Sequence, residues 1–178
     1  LHLTINGGDI AIRSDNDGIN TNEDGVSVTT INGGNLNILA GLGAEGDGID
    51  SNGWLVINGG NVVSSAKQIS DSGLDSDMGS FINGGTVVAL GSAMDWPESD
   101  SNQVAINLQF AQEQSIKDSI KVMDENANTV FSFKQTDDNI AITDRGFTGA
   151  VVSCPDFKTD AKYTLYSGEN QLGYYGTD

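Results

Sequence analysis

The sequence predicts an all-β chain: a parallel β-helix followed by a small antiparallel β cap. Three observations carry that prediction. The tetrapeptide Ile-Asn-Gly-Gly occurs four times, beginning at Ile5, Ile31, Ile57 and Ile82, in steps of 26, 26 and 25 residues. Each copy is followed in register by alternating positions: Ile10, Leu36, Val62 and Val87 lie five places past the Ile, and Ile12, Ile38, Ser64 and Ala89 seven places past it. Between the tetrapeptides a second motif recurs as Asp17-Gly18-Ile19-Asn20-Thr21-Asn22, Asp47-Gly48-Ile49-Asp50-Ser51-Asn52 and Ser72-Gly73-Leu74-Asp75-Ser76-Asp77. Self-similarity at a fixed period of this length marks a stacked-coil architecture.

Each unit holds about three short stretches of period-two alternation, which is the signal of strands with one face inward. No 3.6-residue period separates them, so turns make the connections. One coil per repeat would stack equivalent residues at roughly 4.8 Å, the strand-to-strand spacing. Ile5, Ile31, Ile57 and Ile82 then form an inward ladder, and Asn6, Asn32, Asn58 and Asn83 a hydrogen-bonded ladder beside it at a corner. The Gly-Gly pair supplies the positive φ that such a corner needs. An isolated Asn-Gly hairpin is the competing local reading, but a hairpin array has no use for a fixed register of about 25 residues.

The repeat stops near Asp95, which divides the chain into β-helix repeats over 1–94 and a cap over 95–178. Asp95-Trp96-Pro97-Glu98-Ser99-Asp100-Ser101 reads as a polar link, with Trp96 pinning the cap to the last coil. Strands are expected at Gln103–Phe110, Ile120–Met123, Thr129–Phe133, Asn139–Thr143, Ala150–Cys154 and Lys162–Tyr166, with room for a helical turn over 111–119. A coil stack needs such a cap because its last coil exposes an edge and an apolar end.

Charge narrows the partners. Lys and Arg total 8 against 25 Asp and Glu, a net charge of −17. Nucleic acid is excluded as a partner, since its binding rests on basic side chains that neutralise phosphates. No apolar run of 18 residues exists, so no membrane insertion by a helix is expected. The single cysteine, Cys154, rules out an intrachain disulfide and reads as a small buried hydrophobe. One histidine, His2, leaves no His-based triad or His-rich metal site. The chain opens on an alternating strand pattern without Met, which reads as a trimmed fragment of a longer protein.

The second motif is where chemistry is expected. With Ile19, Ile49 and Leu74 inward, the outward positions are Asn20 and Asn22, Asp50 and Asn52, Asp75 and Asp77, stacked in two columns. Asp17, Asp47 and Asp71 lie by the preceding corner, Asp71 one residue out of register. Two carboxylates ~5 Å apart repel by about 3 kcal/mol at an effective dielectric near 20. Residues 1–94 contain 11 acids and only two bases, Arg13 and Lys67, so the neutralising charge must come from elsewhere. Hard oxygen donors suit Ca²⁺, which takes 6–8 oxygens in flexible geometry. The alternative is that these residues serve turns and solubility. Trp54 shares the outward side of its strand with Val56, and Phe81 occupies the Val56 column one coil on. An exposed flat aromatic there can stack on sugar rings; packing against the cap is the alternative. Arg13 and Lys67 are candidate carboxylate-binding groups.

The alternation of I-N-G-G with D-G-I-[DN], followed by Val151-Val152-Ser153-Cys154-Pro155-Asp156-Phe157 and Tyr163-Thr164-Leu165-Tyr166-Ser167-Gly168, resembles a bacterial family of calcium-binding, carbohydrate-binding β-helix proteins. Those proteins are similar in fold to pectate lyases and bind cellulose and pectic polysaccharides. The likeness covers nearly the whole chain and corresponds to the C-terminal part of that family. It implies a right-handed helix, several Ca²⁺ ions, a secreted or cell-surface location and binding of an acidic or cellulosic polysaccharide; the leading functional expectation is binding without catalysis. The metal-type motif falls on Asp17/Asn20/Asn22 and Asp47/Asp50/Asn52. It departs at the third copy, where Ser72 replaces Asp and Asp71, Asp75 and Asp77 compensate. A four-residue insertion follows the first copy. Two other functions stay open. One is a calcium-dependent polysaccharide lyase, which needs a Lys or Arg base beside the ion. The other is a matrix or filament subunit that assembles end to end.

Overall fold

A computed structural model describes residues 1–67, 69–115, 118–134 and 146–176, with side chains as far as residue 173. Its first half is a right-handed parallel β-solenoid of about three turns, and an antiparallel sheet caps it. Each turn contributes three strands: β1 (His2–Ile5), β2 (Asp9–Arg13) and β3 (Ile19–Thr21); β4 (Val28–Ile31), β5 (Asn35–Leu39) and β6 (Ile49–Ser51); β7 (Trp54–Ile57), β8 (Asn61–Ser65) and β9 (Leu74–Ser76). A fourth turn begins with β10 (Gly79–Ile82) and β11 (Thr86–Gly91). The strands stack as one sheet of β1-β4-β7-β10, a second containing β2-β5-β8-β11, and a third of β3-β6-β9.

Register follows the repeat. Ile5 pairs with Ile31, Ile31 with Ile57 and Ile57 with Ile82. Ile31, Ile57 and Ile82 are wholly buried, alongside Leu36, Ile49, Leu55, Val62 and Leu74. Each such side chain removed from water is worth about 1.5–3 kcal/mol, so the inward columns supply most of the cohesion between coils. The asparagine ladder forms as expected. Asn32 Nδ2 donates to Asn6 Oδ1 at 2.8 Å, Asn58 to Asn32 at 2.9 Å and Asn83 to Asn58 at 3.1 Å. Asn102, from the link, adds a fifth rung by donating both its backbone N–H and its Nδ2 to Asn83 Oδ1, each at 3.1 Å.

The Gly-Gly corner divides its labour more finely than the sequence suggested. Only the second glycine has positive φ, at 104° for Gly8, 102° for Gly34, 93° for Gly60 and 88° for Gly85. In the later coils the first is required by close approach: a Cβ on Gly59 would lie 2.8 Å from the carbonyl oxygen of Asn32, and one on Gly84 2.6 Å from that of Asn58. The four-residue insertion is the stretch Glu23-Asp24-Gly25-Val26, which lengthens the β3–β4 turn to residues 22–27, whereas residues 52–53 and 77–78 suffice in the later turns.

The cap is continuous with the solenoid. β12 (Ala105–Ser115) and β15 (Gly146–Ser153) extend the second sheet in the order β12-β15-β11, both antiparallel to their neighbours. A separate antiparallel sheet runs β14 (Thr129–Phe133), β13 (Ile120–Met123), β16 (Lys162–Ser167) and β17 (Asn170–Gly176). The apolar core of the cap joins Val88 and Leu90 of β11 to Leu108, Val122, Phe147, Val152, Tyr163 and Leu165. Cys154 is buried within it, and burial pushes its thiol pKa up.

Several local expectations differ from the outcome. β12 runs on through residues 111–115, where a helical turn had been allowed, because pairing of Gln114 and Ser115 with Phe147 and Gly146 resumes after an irregular stretch. The expected strand at Asn139–Thr143 lies outside the described residues. β17 was not expected; its sequence, Asn170-Gln171-Leu172-Gly173-Tyr174-Tyr175-Gly176, carries no period-two apolar pattern.

Candidate functional site

The third sheet carries the acids. Its strands are only three residues long and each follows a glycine, Gly18, Gly48 or Gly73. These glycines stack so tightly that a Cβ on Gly48 would collide with Ser64 Oγ and the carbonyl of Gly73. The Asp-Gly-Ile spacing is therefore a packing requirement, and it fixes the next residue outward. Asn20 pairs with Asp50, and Asp50 with Asp75. Of the two expected columns, this register forms the one of Asn20, Asp50 and Asp75; Asn22, Asn52 and Asp77 lie just past the strand ends, outside the paired residues.

Its electrostatics are unbalanced. Burial pushes the Asp47 carboxyl up to about 7, with Asp75, Asp71 and Asp17 adding repulsion. Burial likewise raises Asp50 to about 6, reinforced by Asp17, Asp75 and Asp77. Asp75 is raised by burial and by Asp95, Asp77 and Asp17. Asp95 opens the link between solenoid and cap. Burial raises it too, against hydrogen bonds from Ser76 and Ser80, whose hydroxyls donate to Asp95 Oδ2 at 3.2 and 3.3 Å. It extends the acidic column one level past the last repeat, where no periodic signal marked it.

Not every candidate oxygen is free for a cation. Asp17 Oδ1 accepts the backbone N–H of Asp47 at 2.9 Å, and Asp47 Oδ1 accepts that of Ser72 at 2.6 Å. Asp71 Oδ2 accepts the N–H of Gly46 at 2.8 Å. These three acids tie one coil to the next. Asn20 donates its amide to both Asp17 Oδ2, at 2.7 Å, and Asp50 Oδ2, at 2.8 Å. An N–H donor thus occupies the place between two carboxylates where a cation would be sought. Asn52 donates to Asp24 at 2.9 Å, and Asn22 is exposed. Among the described residues, no three His, Cys, Asp or Glu side chains converge on one point as metal ligands. Asn20 and Asp50 are bridged by an amide hydrogen bond, whereas Asp50 and Asp75 stack in register with no such bridge among the described residues.

The bases lie elsewhere. Lys67 Nζ donates to the carbonyl of Gly43 at 2.6 Å, bracing two neighbouring loops. Arg13 ends β2 in the second sheet and is exposed. An ion pair joins the Leu1 amino group to Glu23, and among the described residues no lysine or arginine forms one with an acid of the column.

The outward face of the first sheet offers a different surface. Trp54 is 36% exposed and meets Phe81 with ring centroids 6.0 Å apart and planes inclined at 39°. Val28 lies beside Trp54 and Val56 beside Phe81 in register. Trp54 packs with its own sheet rather than under the cap. Trp96, on the link, is also 36% exposed. No helix of the described residues is long and apolar enough to cross a membrane.

No family model matches the chain, and neither a curated protein nor a solved structure matches it.

Proposed function

We propose that this protein is an extracellular, non-catalytic polysaccharide-binding β-solenoid that takes calcium on its acidic face. The observation that carries polysaccharide binding is the exposed Trp54 set beside a half-buried Phe81 on the outward sheet face. Flat aromatics fixed on a rigid strand offer apolar area to a sugar ring at little entropic cost. Calcium is supported by half-buried carboxylates that burial and mutual repulsion hold above their ordinary range with no basic partner. A hard divalent ion beside Asp50 and Asp75, which stack in register, would relieve that repulsion and leave most of its coordination positions open for uronate carboxylates of a pectic chain. The resemblance to the calcium- and carbohydrate-binding β-helix family points the same way.

Affinity electrophoresis through gels containing cellulosic or pectic polysaccharide tests the reading. Retardation is expected, and Trp54→Ala should weaken it about tenfold or more, in line with loss of one aromatic anchor. Unretarded migration in every polysaccharide, with calcium present, rejects it. Thermal melts with calcium and with chelator test the ion separately; identical midpoints reject a bound calcium that contributes to stability.

A further inference from the structure

The register of the first sheet leaves a gap at one end of the aromatic pair. The neighbour of Trp54 in the next strand is Gly79, which has no side chain and sits at φ 130°. The link returns over this position. Glu98 donates its backbone N–H to the carbonyl of Ser80 at 2.7 Å. Its side chain then folds into the space that a larger residue at 79 would fill: Cγ, Oε1 and the carboxyl carbon lie 3.0–3.3 Å from where a Cβ on Gly79 would stand. Glu98 is nevertheless exposed, and among the described residues no ion pair claims its carboxylate.

From this juxtaposition we infer that Trp54, Phe81 and Glu98 form a subsite for an uncharged sugar unit, with Glu98 as the group that orients it. The inference rests on the polysaccharide-binding reading above and specifies which sugar that face takes. A pyranose stacked on Trp54 directs its ring hydroxyls outward along the ring plane. A carboxylate at the end of the platform accepts hydrogen bonds from two neighbouring hydroxyls, and such charge-assisted bonds are the stronger kind. Phe81, inclined to Trp54 at 39° with its centroid 6.0 Å away, continues the platform toward an adjoining unit. The same carboxylate repels a uronate placed there, and the charge of −17 adds to that repulsion. The rest of this outward face is uncharged: Thr4, Val28, Thr30 and Val56 share it, with His2 at its margin. Calcium has no role at this subsite, which lies on a different sheet from the acidic column.

Calorimetric titration of the full chain in chelator, with a neutral gluco-oligosaccharide and the oligouronate of equal length, tests the assignment. The neutral ligand should bind at least about tenfold tighter, and Glu98→Ala should weaken it by about tenfold through loss of charge-assisted bonds. Glu98→Gln, which keeps an acceptor oxygen and removes the charge, should narrow the ratio of neutral to acidic ligand to within about threefold. Thermal midpoints of both variants should match the parent, because the backbone bond of residue 98 is untouched. If Trp54→Ala abolishes neutral binding while both Glu98 variants bind like the parent, Glu98 has no orienting role and this inference falls, with polysaccharide binding intact. Equal affinity for neutral and acidic ligand in the parent also overturns it. If neither ligand binds in chelator but the oligouronate binds with calcium, the neutral subsite is wrong and the calcium reading stands. Absence of binding to either, with or without calcium, removes both.

Discussion

Asp50 shows how one side chain is pulled by two demands. Its strand position places it outward between Asn20 and Asp75, and half-burial beside other acids raises its pKa to about 6. Asn20 relieves one oxygen with an amide hydrogen bond at 2.8 Å; no donor does so on the Asp75 side. Replacing the charge should therefore help the ion-free protein. Asp50→Asn is expected to raise the melting midpoint in chelator, each kcal/mol gained being worth about 2–4 °C for a chain of this size. The same variant should reduce the stabilisation that added calcium gives. Differential scanning calorimetry in both conditions checks the two signs together, and a midpoint lowered in chelator contradicts this account of Asp50. The column itself was legible in the sequence, because a fixed period fixes which residues stack. The split of roles within it was not: that Asp17 and Asp47 would spend an oxygen on backbone N–H groups of the next coil, or that Asn20 would act as a donor, depends on side-chain rotation that spacing does not encode.

At the scale of the strand, the short third sheet depends on its glycine column. Gly18, Gly48 and Gly73 let three coils turn within van der Waals contact of one another. Gly48→Ala would force a methyl group into Ser64 Oγ and the Gly73 carbonyl, and backbone cannot yield as a flexible side chain can. Overpacking of this kind costs typically 1–3 kcal/mol and occasionally more; a denaturant midpoint unchanged by the substitution would contradict tight packing at this corner. Solenoid strands were readable because alternation, glycine corners and repeat spacing agreed. Cap strands were read from alternation alone. That sufficed for β13, β14 and β16, which are short and rich in β-branched and aromatic residues, but missed β17 and shortened β12, whose residues 109–115 pair across an irregular register. The position of Glu98 is not legible in the sequence, because nothing local to residues 95–101 shows that the link returns over Gly79.

For the molecule as a whole, the acidic face makes stability a function of pH. Asp47 and Asp50 have folded pKa values near 7 and 6 against an ordinary 3.8. The fold therefore holds protons that the unfolded chain releases. That contribution is full below pH 3.8 and is lost as pH climbs through 6 to 7. In chelator, the melting midpoint should fall between pH 5 and pH 7.5, and saturating calcium should flatten the slope by replacing protons with a cation. A midpoint that rises over that interval without calcium reverses the sign and rejects the assignment.

The shared second sheet has a further consequence for how such a chain is made. β15 lies between β11 and β12, although both of those strands precede it in the sequence. During synthesis from the N-terminus, β12 leaves the ribosome with no neighbour to join, and β11 waits with one edge bare until Ser153 has emerged. Coils can add one upon another as they appear, but the last seam closes by a strand arriving from far along the chain, and long-range closure of that kind is slow and exposed to mispairing. A nascent chain halted before Ser153 would present an open β-edge to its neighbours.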